Sequence, residues 1–267
     1  MTVELEGALR DVEARIAEHP GYIAFQEHAA LQDMINHVVE PNWRQLLAVL
    51  DAPAANPVLA LELIQNMRPA AVREKYTAEL SRALHNYLAS AFTLIDHVRR
   101  IMRNRNDEVA TKHHERLDAL PDVLELPFVK NLRNYTLHQT LPVVRHELEI
   151  THPNHQAMTM DSRIQLDVVS LLKWKGWSAA SKRFLAQCGD HVDLRPVIQK
   201  HGEAVLTLNA HLLNDLLEAN KADLADLNRL VLERNAVLLG GDIERAERVT
   251  DAWTRRRTGE QVGGPLF

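Results

Sequence analysis

The chain has 267 residues, 46% of them apolar, with 10 glycines, 11 prolines and a formal charge of −5. That length suits one large domain or two small ones, and so little glycine and proline excludes collagen-like and disordered classes. The acidic balance argues against coating duplex nucleic acid, where affinity comes from neutralising phosphates, but it leaves room for a small basic site that handles one phosphate.

Residues 2–19 read as a helix stopped by Pro20-Gly21. A second helix is predicted over 23–39 and a third from Pro41 to Asp51, with 52–56 as a linker. Asn56-Pro57, a cap followed by a helix-initiating proline, opens a helix over 58–67. Pro69 opens the longest one, to about Asn104, because Tyr76, Leu80, Leu84, Tyr87, Ala91, Leu94 and Val98 recur at spacings of three and four. Asn106-Asp107-Glu108 caps a short helix to about Leu120, and Pro127 opens the next, which Leu141-Pro142 ends.

The period then changes to two. Val144, His146, Leu148 and Ile150 alternate with Arg145, Glu147 and Glu149. Met158, Met160, Ile164, Leu166 and Val168 alternate with polar residues, with Ser162 alone interrupting the apolar face. Two such runs around residues 151–155 predict a β-hairpin. Helices resume after Gly176, with Ser178 capping 179–187 and Asp193 capping a long helix that breaks near Asn220 and stops at Gly240-Gly241. Asp242 caps a last helix ending in Arg255-Arg256-Arg257. The expected fold is therefore predominantly α, a helical bundle with one β-hairpin appendage. Its expected parts are a bundle at 1–142, the hairpin at 143–169, C-terminal helices at 170–258 that either stand apart or complete the first domain, and a loose tail at 259–267.

Cys188 is the only cysteine, so no intramolecular disulfide or thiolate metal cluster can form, which suits a reducing compartment. The first six residues are acidic and carry no apolar run, so no secretory signal is expected. No uncharged apolar stretch approaches the roughly 20 residues that span a bilayer. The expected location is the cytoplasm, with no membrane partner.

The chemically suggestive segment is Arg133-Asn134-Tyr135-Thr136-Leu137-His138. His138 falls in the last turn of its helix, where the dipole favours a cation, and an imidazole can both take and give a proton near neutral pH. Arg133 is a permanent planar cation suited to a phosphate oxygen. Asn134 lies four residues before His138, on the same face. A base, a cation and an amide at one helix end suit attack of a ribose 2′-hydroxyl on its neighbouring phosphate, with His138 moving the proton and Arg133 stabilising the transition state, and no metal required. Five residues place Arg133 and His138 roughly 140° apart on an ideal helix, so alignment needs a distorted turn or a second copy. The plainer reading is that both residues only complement the dipole.

Arg133-Asn134 followed by Tyr-Thr-Leu-His138 resembles the R-x(4–6)-H motif of the HEPN superfamily, the higher eukaryote and prokaryote nucleotide-binding domains. The wider phrase from Leu132 to Pro142, with His85-Asn86-Tyr87-Leu88-Ala89-Ser90 and Asp96-His97-Val98-Arg99 upstream, is similar to a subset of bacterial HEPN-like proteins. The resemblance spans roughly residues 80–142. It implies a helical bundle that dimerises, acting on RNA as a metal-independent endoribonuclease of a defence or toxin–antitoxin type. It implies RNA or a nucleotide as ligand, a homodimer, and a cognate antitoxin or nucleotidyltransferase as partner. Arg133 and His138 would be catalytic, with Asn134, Tyr135, Arg99 and His97 supporting. The alternative is a non-catalytic helical module that binds a protein partner or nucleotide.

Other candidates carry less. On the upstream helix Asn86, Ser90 and His97 lie near one face and Asp96, Arg99 and Arg103 near another, a pattern that also suits a solvated surface, with Asp96 at ion-pair spacing from Arg99 or Arg100. Tyr87 and Tyr135 read as core aromatics. His146, His152, His155 and the His113-His114 pair form no recognisable ligand motif, so no metal is expected. Trp174 and Trp177 around Gly176 read as a packing plug in preference to a helix-turn-helix DNA reader. Glycine-rich phosphate loops and the G-x-S-x-G elbow are absent, and no cofactor is expected.

Overall fold

The computed structural model describes residues 3–64, 71–103, 105–120, 125–139, 142, 144–151 and 159–257. In chain order the helices are α1 (Val3–Glu18), α2 (Pro20–Met34), α3 (Glu40–Ala55), α4 (Pro57–Ile64), α5 (Ala71–Met102), α6 (Glu108–Asp118) and α7 (Glu125–His138). Strands β1 (Val144–Thr151) and β2 (Thr159–Asp167) follow, then α8 (Val168–Leu172), α9 (Ala179–Gln187) and β3 (His191–Asp193). The chain closes with α10 (Leu194–Ala219), α11 (Lys221–Leu238) and α12 (Ile243–Arg257). The fold is predominantly α with a small antiparallel sheet, and no single described helix is long and apolar enough to cross a membrane.

Two compact units form, one of Asp33–Ala210 and one of Met1–Gln32 with His211–Phe267. This division differs from the expected boundaries at 142 and 169, and its physical reason lies in the chain ends. In the smaller unit α1 packs on α11, and α11 on α12. Arg15 pairs with Glu233 at 2.9 Å and Arg234 with Glu13 at 3.2 Å across the first of these contacts. Val12, Leu227 and Ala246 are buried there, and Asn235 Nδ2 donates to Thr250 Oγ1 at 3.0 Å.

The local capping signals act as expected. Asp107 accepts from Ala110 N and Ser178 from Ser181 N at the starts of α6 and α9. Asp193 accepts from Arg195 N, Asp242 from Arg245 N, and Gly240 and Gly241 take φ values of 68° and 91° after α11. Two expectations about α2 and α3 need correction. Residues 35–39 do not continue an α-helix but form a π-helical turn, with Glu40 N donating to Ile35 O. The wider turn passes the chain into α3 ahead of Pro41, which cannot donate. Residues 52–56, expected as a linker, are helical to Ala55 with Pro53 inside the helix. Proline removes the bond to the carbonyl four residues back, that of Val49, and the Tyr76 hydroxyl of α5 donates to Val49 O instead, at 2.8 Å.

The hairpin forms in a register running from Val144↔Leu166 to Thr151↔Thr159. Ile164 and Leu166 face the core while Arg163 is exposed, the expected alternation. A third strand, β3, pairs antiparallel with β2 through Leu166↔Val192 and was not expected. Residues 152–158, on which most of the turn expected around 151–155 falls, with His152 and His155, lie outside the described residues, as does the expected tail at 259–267.

The core of the larger unit joins α3, α5, α7, α9, the sheet and the start of α10, with Leu46, Leu80, Tyr87, Phe128, Leu132, Ile164, Leu185 and Ile198 almost wholly buried. Trp177 is 3% exposed, stacks on Phe128 at 5.4 Å and Tyr135 at 5.8 Å, and donates from Nε1 to Leu171 O. The tryptophan pair is thus a packing plug.

Candidate functional site

Helix α7 carries the motif and begins two residues before the expected Pro127. Phe128, Val129, Leu132 and Tyr135 are buried and fix its rotation against α5 and α9. Asn131 strengthens this seat from the polar side. Its Oδ1 accepts from Ser178 N at 2.7 Å and from Ser181 Oγ at 2.9 Å, so one side chain ties α7 to the capped start of α9.

This seating decides where the motif residues lie. Tyr135 is a core residue, edge-on to Trp174 at 5.6 Å. Arg133 is half-buried, with its guanidinium carbon 5.6 Å from the centre of the Phe92 ring of α5, a cation–π distance. Its Nε is buried with no hydrogen-bond partner among the described residues. Asn134 is half-buried and His138 is exposed on the last residue of the helix. Thr136 Oγ1 donates to Arg133 O and Gln139 N to Tyr135 O, so the helix remains regular through the motif. No distorted turn closes the offset of roughly 140° between Arg133 and His138.

The upstream helix α5 sorts the remaining candidates. Of the two partners open to Asp96, Arg99 forms the ion pair, at 3.0 Å, on an exposed face. His97 is half-buried. Among the described residues no hydrogen bond or ion pair links His97 or Arg99 to Arg133 or His138. Arg99 instead lines an apolar cavity between α5, α6, α7 and α10, as does Lys130. Ser90 is buried and donates to Tyr87 O.

Beneath the motif lies a small aromatic and polar group that the sequence pattern did not single out. Tyr87 Oη sits 2.6 Å from His201 Nδ1, with both rings buried. His201 also stacks on Phe92 at 6.1 Å, so Phe92 has contacts to His201 and to the Arg133 guanidinium. Burial holds the His201 imidazole neutral, with its pKa pushed down to about 4, and pushes the Tyr87 phenol up. In the sequence His201 stands at helical spacing with Val205, Leu208, Leu212 and Leu216. A histidine among leucines at helical spacing was the available signal, but its partners come from α5.

Elsewhere, His146 of β1 is half-buried edge-on to Tyr76 at 5.3 Å, and burial, then the Arg73 cation, lower its pKa. Cys188 is half-buried, and burial, then Glu125, raise its thiol. Among the described residues no group of three or more His, Cys, Asp or Glu is placed to hold a metal ion.

The fold and site define a predominantly helical protein whose motif helix ends in an exposed histidine and carries an arginine on an aromatic ring. No protein-family model, curated protein or solved structure matches the chain.

Proposed function

We propose that this chain acts on RNA as a HEPN-like, metal-independent endoribonuclease whose site is completed by a second copy of the chain. The carrying observation is the pairing on α7 of an exposed terminal His138 with an Arg133 whose Nε is buried and lacks a partner among the described residues. A buried unpaired guanidinium nitrogen is costly to keep, and a phosphate oxygen is an acceptor that suits it. His138 moves the proton of the attacking 2′-hydroxyl or of the leaving oxygen, Arg133 stabilises the charge on the phosphorane, and Asn134 orients the ring or the substrate. The regular helix favours a dimeric site, because one copy holds Arg133 and His138 on different faces.

The test is cleavage of RNA in EDTA by the wild-type chain, Arg133→Ala and His138→Ala. Cleavage giving 2′,3′-cyclic phosphate ends, lost in both variants, is the expected result. Equal cleavage by all three chains, or none by the wild type, overturns the assignment.

The contact of Arg133 with Phe92 favours a second reading, in which the arginine is a packing element of a non-catalytic module that binds a protein partner or nucleotide. On that reading Arg133→Ala lowers stability, and the wild-type chain cuts no RNA.

A further inference from the structure

The cavity lined by Arg99 has a volume of about 510 Å³, within the range of roughly 300–1,000 Å³ typical of small-molecule sites. Four helices of the larger unit contribute to it. Its apolar walls include Phe92, Ile95 and Leu117, with Leu120, Leu126 and Leu208. Among the described residues the charged ones of the lining are Arg99 and Lys130, both exposed, and none of them is a carboxylate. Asp96 pairs with Arg99, whereas Lys130 makes no ion pair among the described residues.

The buried end is polar but uncharged. His201 and Asn209 are each 3% exposed there. His201 is neutral, with Nδ1 taken up by the Tyr87 hydroxyl. Asn209 Nδ2 donates to Val205 O at 2.7 Å, which fixes the orientation of the amide and leaves Oδ1 buried without a partner. An oily wall, a cationic rim and a neutral floor together define a polarity. An apolar body is favoured inside, where a charge would be desolvated without compensation, and an anion is favoured at the rim.

We infer that this cavity binds a small carboxylate with an apolar body, of the medium-chain fatty-acid class. The carboxylate meets Arg99 and Lys130, and the chain lies along Phe92 and the leucines. The inference stands independently of the RNA reading, because neither Arg133 nor His138 lines the cavity.

The test is calorimetric titration of the full chain with decanoate below its micelle concentration, with decylamine as the charge control. Two variants accompany the wild type: the double reversal Arg99→Glu with Lys130→Glu, on exposed side chains, and the cavity-filling Ala204→Phe. The wild type should bind decanoate in preference to decylamine. The double reversal should weaken decanoate by at least about tenfold, and Ala204→Phe should abolish it. Should Ala204→Phe fail to fold by circular dichroism, the charge reversal decides alone. No binding of decanoate, equal binding of acid and amine, or decanoate affinity unchanged by the double reversal overturns the proposal.

Discussion

The Tyr76 hydroxyl donates a 2.8 Å hydrogen bond to the carbonyl of Val49, the group that Pro53 leaves without its helical partner. Burial, then the neighbouring Asp51 carboxylate, push the phenol pKa up, so it remains a donor across the working pH range. Tyr76→Phe keeps the ring and orphans the carbonyl, at an expected cost of about 1–3 kcal/mol. In a Pro53→Ala background residue 53 regains its N–H and can serve Val49, so the same substitution should cost less than about 1 kcal/mol. Urea unfolding of the four chains measures the coupling. Strictly additive costs would show that the hydroxyl does not replace the missing helical bond.

His201 gives the molecule a pH-dependent stability. Its folded pKa is about 4, against an unfolded reference of about 6.5. The neutral ring is therefore fully accommodated above the unfolded value. As pH falls from 6.5 towards 4 the unfolded chain takes up the proton and the folded one does not, so stability is lost through that window. The loss is about 3 kcal/mol for a shift of this size. His146, whose pKa is also lowered, acts with the same sign. Thermal unfolding of the wild type should drop between pH 6.5 and 4, and His201→Leu should flatten much of that slope. A variant as pH-dependent as the wild type would remove His201 as the cause.

Asn131 provides a separate test of how the motif helix is held. Its Oδ1 receives Ser178 N in a half-buried bond and Ser181 Oγ in a buried one. Asn131→Leu removes the acceptor from the buried Ser181 hydroxyl and from the Ser178 N–H together, which should cost about 1–3 kcal/mol in urea unfolding. Ser181→Ala removes the hydroxyl's bond to Asn131 and its contact with Ser178 Oγ, but the Ser178 N–H keeps Asn131 and the α9 cap from Ser181 N remains, so it should cost less, about 1 kcal/mol. A larger loss for Ser181→Ala than for Asn131→Leu would contradict this order.

What could be read from the chain follows from how local each cause is. The caps at Asp107, Ser178 and Asp242 and the alternation in β1 and β2 are set by residues within a few positions, and they stood in the sequence as they stand in the fold. Pro53 misled because its compensation comes from Tyr76, on another helix. Strand β3 is three residues long and exists through its pairing with β2, so no periodicity announces it. The same distinction divides the candidate site. The spacing of Arg133, Asn134 and His138 was legible, as was an ion pair of Asp96 with Arg99 or Arg100, of which Arg99 forms it. Phe92 beneath Arg133, and the joining of four helices around the cavity, depend on tertiary packing and left no mark on any one segment.

The regular course of α7 leads to the sharpest test of the proposed site. Since Arg133 and His138 point roughly 140° apart along one helix, a shared phosphate would take Arg133 from one copy and His138 from the other. Arg133→Ala and His138→Ala chains, each inactive alone, should then complement when mixed. In a mixed dimer one of the two composite sites has both residues mutated, and the other has both intact. Random exchange should restore about a quarter of the wild-type sites in a twofold dimer. The measurement is RNA cleavage in EDTA after co-refolding or co-expression of the two chains. If each phosphate used both residues of a single copy, every site in the mixture would carry one defect and activity would stay at the level of the separate variants. Recovery therefore separates a site built across two copies from one built within a single chain.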